Sequence, residues 1–87
     1  RAIADYNLAI KLDPNYTLAY YGRGLSYYNK KDYDRAIADY NLAIKLDPNY
    51  TLAYYGRGFV YKSKGKKDKA IEDFNKFIQL NNDVESN

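Results

Sequence analysis

The side chains of this sequence that could do chemistry are acids, lysines, arginines and twelve tyrosines. The chain has no His, Cys, Met or Trp. It therefore lacks the commonest general base, the thiolate nucleophile and the usual soft metal ligands. Its neighbouring acids, such as Asp32 with Asp34, fall in turns or on polar helix faces, where carboxylates are usually solvated. We predict no catalytic residue, no metal site and no cofactor.

Phosphate binding is suggested by two features, and neither is strong. Gly-x-Gly sequences begin at Gly22 and Gly56, but each falls inside a predicted helix and lacks the strand that precedes a phosphate loop. The Lys-rich stretch 62–69 lies at helix ends, where lysines complement the dipole, and the net charge of +3 is mild. Nucleic acid is therefore disfavoured as a partner.

A 34-residue repeat organises the chain. Arg1–Gly24 is identical to Arg35–Gly58, and three further positions among the first 34 residues also recur at this spacing. A third, looser copy begins at Lys69. One unit of this length cannot bury its apolar face alone, so the period predicts a stacked array of similar units.

Apolar residues at spacings of three and four predict five helices. They span about 1–12, 16–30, 33–46, 51–64 and 67–80. An Asp-Pro pair ends the first and the third, because Pro cannot continue the hydrogen-bond ladder. Asn15 is the predicted cap of the second helix, and Gly65 suits the C-terminal end of the fourth. No strand pattern is present, so we predict an all-α fold of antiparallel neighbours.

Aromatic and small residues recur in a fixed order within the repeat. One copy reads Tyr20-x2-Arg23-Gly24-x2-Tyr27, then Ala36-x3-Tyr40, then Pro48. The next copy reads Tyr54-x2-Arg57-Gly58-x2-Tyr61, then Ala70-x3-Phe74. This order resembles the tetratricopeptide repeat pattern of W-x2-L-G-x2-Y, A-x3-F and P. Tyr replaces Trp here, and Asn82 stands in place of the last Pro.

The resemblance implies a right-handed α-α superhelix, or solenoid, of about two and a half repeats. The array would span 1–82, with a half repeat at 1–16 and full repeats at 17–50 and 51–82, followed by a frayed tail at 83–87. The residues to which it assigns structural roles are Tyr20, Gly24, Tyr27, Ala36, Tyr40, Pro48, Tyr54, Gly58, Tyr61, Ala70 and Phe74.

Arginine stands at Arg23 and Arg57, where the family pattern has an apolar Leu. A guanidinium on a partly buried face is costly unless a carboxylate holds it. We hypothesise an ion pair of Arg23 with Asp39 or with Asp5, each of which precedes a large aromatic residue. The alternative is two solvated charges on separate helix faces.

The first helix of each pair carries a second apolar stripe. Tetratricopeptide arrays use this stripe to line a concave groove that binds extended peptides or partner helices, so the resemblance implies a protein or peptide partner. The stripe comprises Leu18, Tyr21, Leu25, Tyr28, Leu52, Tyr55, Phe59 and Lys62. Tyrosine suits such a face, and Tyr21 and Tyr55 are the strongest candidates. In the alternative interpretation, the leucines and Phe59 are buried against neighbouring helices.

One class of the family grips the acidic C-termini of chaperones with Lys, Asn and Arg along this groove. Here those positions hold Leu18, Tyr21, Gly22, Leu25 and their repeats. The clamp is missing, so docking of chaperone tails is disfavoured.

Apolar residues at the two ends support a second hypothesis, self-association. They are Ile3, Tyr6 and Ile10 at one end, and Phe74, Phe77 and Ile78 at the other. Two unlike faces permit head-to-tail stacking into a longer superhelix, a structural homo-oligomer. Alternatively, these faces are exposed because the sequence is a piece of a longer array. No apolar run has the length of a membrane span, so we expect no membrane partner. The sequence does not indicate the compartment, and the cytoplasm is a guess.

Overall fold

The computed structural model describes the backbone of residues 1–86 and the side chains of residues 1–83. Within these residues there are five α-helices and no strand. They are α1 (Ala2–Leu12), α2 (Thr17–Asn29), α3 (Tyr33–Leu46), α4 (Thr51–Ser63) and α5 (Lys67–Ser86). Each helix packs against the next one along the chain, and α2 also contacts α4. The predicted all-α fold is confirmed.

Two of the predicted helix ends were wrong. Asn15 does not cap α2, because the N-cap residue is Tyr16 and no side chain caps the first turn. The backbone N–H of Asn15 donates to Asp13 Oδ1 at 3.1 Å in the preceding turn. Helix α5 runs to Ser86, past the predicted end near residue 80. No Pro follows Asn81 to stop it, as Pro does after α1 and α3. Most of the predicted tail at 83–87 is thus helical, and Asn87 lies outside the described residues.

Tight turns connect the helices of each pair. Gly65 follows α4 with a φ of 78°, the left-handed conformation that glycine adopts without strain. Lys31 occupies the same position of the preceding repeat with a φ of 66°. The predicted role of Gly65 at the end of α4 is therefore confirmed, and the fold places a lysine in the same geometry one repeat earlier.

Aromatic rings lie directly on glycine backbones in the core. A Cβ atom on Gly24 would lie 3.0 Å from the ring of Tyr40, and one on Gly58 would lie 2.6 Å from the ring of Phe74. Gly56 approaches Tyr40 from the other side, where a Cβ would come within 2.7 Å of the ring. The ring of Tyr40 therefore fills the space between α2 and α4. The Gly-x-Gly sequences are packing surfaces.

The tyrosines at the Trp position of the family pattern each satisfy a polar group of a turn. The hydroxyl of Tyr20 donates to the carbonyl oxygen of Pro14 at 2.9 Å, and Tyr54 does the same to Pro48. A buried tyrosine hydroxyl needs such a partner. Each ring thereby fixes the Asp-Pro turn that precedes its own helix.

The residues with predicted structural roles fall into three groups by exposure. The buried ones are Tyr20, Gly24, Ala36, Tyr40, Tyr54, Gly58 and Ala70. The half-buried ones are Tyr27, Tyr61 and Phe74, and Pro48 is exposed. Ala43, Ala53 and Val60 complete the core around the ring of Tyr40.

Arginine ties three successive helices together. Arg23 of α2 donates through Nε and Nη2 to the two carboxylate oxygens of Asp39 in α3, at 2.8 and 2.7 Å. Its Nη1 donates to Oδ1 of Asn7 in α1 at 2.9 Å. The hydrogen bond to Asp39 raises the pKa of Arg23 above its usual value, so the guanidinium stays charged. The predicted ion pair is therefore present, and its carboxylate is Asp39 rather than Asp5.

The same bridge recurs one repeat later. Arg57 of α4 donates to both oxygens of Asp73 in α5, at 2.9 and 2.7 Å, and to Oδ1 of Asn41 in α3 at 2.7 Å. The side chains of Asp39 and Asp73 are only 4% and 6% exposed. A carboxylate so deeply buried depends on its guanidinium partner.

We predict that Arg23→Leu and Asp39→Ala destabilise the protein non-additively. Breaking a buried pair by removing one partner typically costs about 3–5 kcal/mol, because the other charge stays buried. Removing both should cost less than the sum, with a coupling of about 1–3 kcal/mol. Urea unfolding of the two single variants and the double variant measures this coupling. Strictly additive losses would show that the two groups do not interact.

Candidate partner-binding groove

A groove runs between α2 and α4, with α3 beneath it. It contains a depression of about 320 Å³. It is lined by Tyr21, Leu25 and Tyr28 of α2, by Tyr55, Gly56 and Phe59 of α4, and by Tyr40 of α3. None of these side chains carries a charge at neutral pH, so the surface offers aromatic faces and tyrosine hydroxyls to a ligand.

Ring contacts hold the tyrosines of the groove in place. The ring of Tyr21 lies 5.9 Å from that of Tyr40 and 5.7 Å from that of Tyr50, measured between centroids. The ring of Tyr55 lies 4.9 Å from Phe59 and 4.7 Å from Phe77. Aromatic pairs at these separations add about 0.5–1.5 kcal/mol each beyond their buried area. Both rings are therefore positioned before any ligand arrives, which lowers the entropic cost of binding.

Two polar contacts join the repeats at one end of the groove. The hydroxyl of Tyr28 and Oγ of Ser63 lie 3.3 Å apart, within hydrogen-bond distance. Lys64 Nζ forms an ion pair with Asp34, and this hydrogen bond lowers the pKa of the Asp34 carboxyl. Asp34 is exposed, so the pair contributes little to stability. Both contacts join one repeat to the next.

Five of the eight residues predicted for the groove meet in the depression. They are Tyr21, Leu25, Tyr28, Tyr55 and Phe59. Leu18 and Leu52 lie in the first turns of α2 and α4, and Lys62 lies exposed in the last turn of α4. The interpretation that the three leucines are buried was wrong, because Leu18, Leu25 and Leu52 are 48%, 41% and 44% exposed.

The prediction did not name Tyr40 and Gly56 among the binding residues, although both line the depression. Tyr40 was assigned only a packing role, although its ring both packs in the core and lines the depression. Gly56 was considered as part of a phosphate loop and, as the repeat of Gly22, as a groove position that lacks a clamp residue, but not as a binding residue. A signal for this role was present in the sequence. Gly22 and Gly56 occupy the same position of successive repeats, each between a tyrosine and an arginine. A glycine that recurs inside a helix indicates that a neighbouring ring approaches the backbone closely.

Burial keeps the floor of the groove uncharged. Desolvation raises the pKa of Tyr40 well above its usual value, and the neighbouring Tyr21 raises it further. Burial also raises the pKa of Tyr50.

Residues 1–83 contain no group of three or more metal-ligating His, Cys, Asp or Glu side chains. No helix of the described chain is both long and apolar enough to cross a membrane.

Comparison with known proteins identifies relatives of this architecture. The family model of the tetratricopeptide repeat matches residues 17–50 and 51–83, and that of the TPR repeat matches residues 1–31. The crystal structure of MamA superposes with a TM-score of 0.93 at 32% identity, covering 98% of this chain. This chain spans 50% of that MamA chain. No curated protein matches.

Two further solved structures contain a bound peptide. The second TPR of Spaghetti (RPAP3), bound to the HSP90 peptide SRMEEVD, has a TM-score of 0.86 at 31% identity and covers 90% of this chain and 72% of its own. The first TPR of the same protein, with the same peptide, has a TM-score of 0.87 at 29% identity. The match covers 90% of this chain and 62% of that one.

We predict that Tyr40→Phe makes the protein less sensitive to alkali. Tyr40 keeps its proton in the folded state above about pH 10, where an unfolded tyrosine ionises. In this range the unfolded state binds fewer protons than the folded state. The free energy of unfolding therefore falls with rising pH, by up to about 1.4 kcal/mol per pH unit for this one group. Urea unfolding should show a shallower decline for Tyr40→Phe above about pH 10, with parallel curves below about pH 9. Parallel curves across the whole range would contradict this assignment.

Proposed function

Because the chain belongs to the tetratricopeptide repeat family, we propose that it is a non-catalytic scaffold that binds a peptide or partner helix of another protein. The proposed binding site is the groove between α2 and α4. The observation that carries this proposal is the depression of about 320 Å³ lined by Tyr21, Tyr28, Tyr55 and Phe59 on an accessible surface.

The chemistry of the lining indicates a neutral ligand segment. Aromatic rings provide a large contact area with few rotatable bonds, and tyrosine hydroxyls donate to or accept from peptide groups. An apolar or proline side chain of the partner would enter the depression between Tyr21 and Tyr55. Burying apolar surface there contributes about 25 cal/mol per Å² before the ordering costs of binding.

The acidic peptide held by the Spaghetti (RPAP3) arrays is not the ligand proposed here. The peptide SRMEEVD carries two Glu and one Asp, which need cationic partners once they are desolvated. The lining of the depression supplies none, and Lys62 of the predicted stripe lies outside it at the end of α4. We therefore propose that the groove discriminates against acidic C-terminal segments.

Self-association through the end helices is a second candidate function. The observation in its favour is apolar exposure on α5, where Ile71 and Ile78 are 56% and 52% exposed. Direct stacking of α5 on α1 would join two second-of-pair helices, a junction that occurs nowhere between the described helices. The groove is therefore the stronger proposal.

We predict that Tyr21→Ala and Tyr55→Ala weaken peptide capture at least about tenfold while leaving helicity intact. Each variant removes a ring that is at least partly exposed in the groove, so the core around Ala43 and Val60 stays packed. An array of synthetic 12-residue peptides, grouped as neutral apolar, proline-rich and acidic, measures capture by the labelled protein. The neutral peptides should bind at least about tenfold more tightly to the wild type than to either variant.

Leu42→Ala is the matched control for this experiment. Leu42 is 40% exposed and lies on α3 beside Arg35 and Ala38, away from the groove. This variant should capture the same peptides as the wild type. Equal capture by Tyr55→Ala, or preferred binding of SRMEEVD over every neutral peptide, would contradict the proposed function.

A further inference from the structure

Two tyrosine hydroxyls at the groove have no hydrogen-bond partner in the part of the chain that the structure describes. They belong to Tyr21 of α2 and Tyr55 of α4, which line the depression from its two sides. The hydroxyls of Tyr20 and Tyr54, by contrast, donate to turn carbonyls at 2.9 Å. A polar group that a ligand covers must be hydrogen-bonded to it or lose stability. The occupant of the groove must therefore supply hydrogen-bond acceptors to Tyr21 and Tyr55.

The walls of the groove offer no backbone partners to a ligand. Thr17–Asn29 and Thr51–Ser63 are continuous α-helices, so the backbone groups of their interiors bond within each helix. An extended ligand that buries its own N–H groups against these helices would leave most of them unpaired, which is costly. Proline has no N–H group. A proline-rich segment therefore enters the groove without this cost.

A polyproline II helix also provides the acceptors that the tyrosine hydroxyls require. It has no internal hydrogen bonds, so its carbonyl oxygens remain free to accept. The carbonyl oxygens of a partner α-helix are already bonded within that helix and would leave the two hydroxyls unpaired. Proline-rich segments adopt the polyproline II conformation before binding, and they dock in aromatic-lined grooves at a low entropic cost.

The spacing of the aromatic side chains along the groove fits this conformation. Tyr28 follows Tyr21 by seven residues in α2, which corresponds to about 10.5 Å along the helix axis. Prolines three residues apart in a polyproline II helix lie on one face and about 9.3 Å apart. On α4, Tyr55 and Phe59 are about 6 Å apart along the axis, close to the rise of two ligand residues. Prolines at every third position would thus meet the two tyrosines of α2 in succession.

One cation lies just beyond the depression. Lys62 is exposed in the last turn of α4, three residues after Phe59, and it forms no ion pair within the described residues. Its neighbour Lys64 is paired with Asp34. An acidic residue next to the prolines would meet Lys62 in solvent, where neither charge has to be desolvated. The charge of the rim therefore complements a ligand that is neutral along its centre and acidic at one end.

Building on the peptide-binding function proposed above, we propose that the occupant of the groove is a polyproline II segment of another protein. Its prolines recur at every third position, and an acidic residue stands at the end beside Lys62. The proline rings pack against Tyr21 and Tyr28 of α2 and against the rings of α4. The hydroxyls of Tyr21 and Tyr55 donate to carbonyl oxygens of the segment.

The test measures the binding of fluorescein-labelled peptides to the full chain by fluorescence anisotropy. The peptide QPLAPLAPQ carries the proposed spacing, and QPLPLPAAQ has the same composition without it. In QALAALAAQ each proline is replaced by alanine, so the peptide stays neutral and apolar. We expect QPLAPLAPQ to bind at least about tenfold more tightly than either of the others, because only its prolines are both preorganised and in register.

Matched variants test the hydroxyl and the cation. Tyr55→Phe keeps the ring and removes the donor, so QPLAPLAPQ should bind about twofold to tenfold more weakly. The peptide EPLAPLAPE should bind about twofold to fivefold more tightly than QPLAPLAPQ at low salt. Lys62→Gln should abolish this preference. Lys66→Gln, which removes an exposed charge from the turn after α4, should retain it.

Failure of the ligand class and failure of the groove give different results. If QALAALAAQ binds as tightly as QPLAPLAPQ and both are lost in Tyr55→Ala, the groove binds peptides and the polyproline ligand is wrong. Equal binding of QPLAPLAPQ and QPLPLPAAQ would also overturn the polyproline ligand. If no peptide binds at millimolar protein, or if Tyr55→Ala binds QPLAPLAPQ as the wild type does, the groove itself is not the site.

Discussion

The bidentate hydrogen bond from an arginine to a buried aspartate is the interaction on which the rest of the structure depends. Arg23 and Arg57 replace the apolar residue of the family pattern and convert a simple packing position into a bridge between three helices. The planar guanidinium requires the two carboxylate oxygens at a fixed distance and angle. The bridge therefore restricts both the spacing and the register of each helix pair.

The groove follows from that register. With α2, α3 and α4 held by the two arginines, the glycines approach the ring of Tyr40 from both sides, and the ring fills the space between the repeats. The ring of Tyr40 forms the floor of the depression, and the tyrosines of α2 and α4 lie on its two sides. The charged side chains of the described residues either form the Arg–Asp bridges or lie outside the depression. The binding surface is consequently neutral, although the chain carries a net charge of +3.

The sequence predicted the helices and the Arg–Asp pair because both follow from local spacing and from the cost of a buried charge. The helix period also placed Tyr21, Tyr28 and Tyr55 on one stripe, and the resemblance to tetratricopeptide arrays assigned that stripe to the groove. It did not predict the part played by Tyr40 and Gly56, which meet only when α3 and α4 pack. The register between helices depends on side-chain volumes across the interface, which periodicity does not specify.

The most direct test of this account is an NMR measurement of the guanidinium protons of the four arginines. We predict slowly exchanging, individually resolved signals for Arg23 and Arg57, because each is held by a carboxylate and an amide. Arg1 and Arg35, whose side chains are exposed, should show averaged signals. If all four arginines exchange rapidly and alike, the bridges do not hold the helices, and the account is wrong.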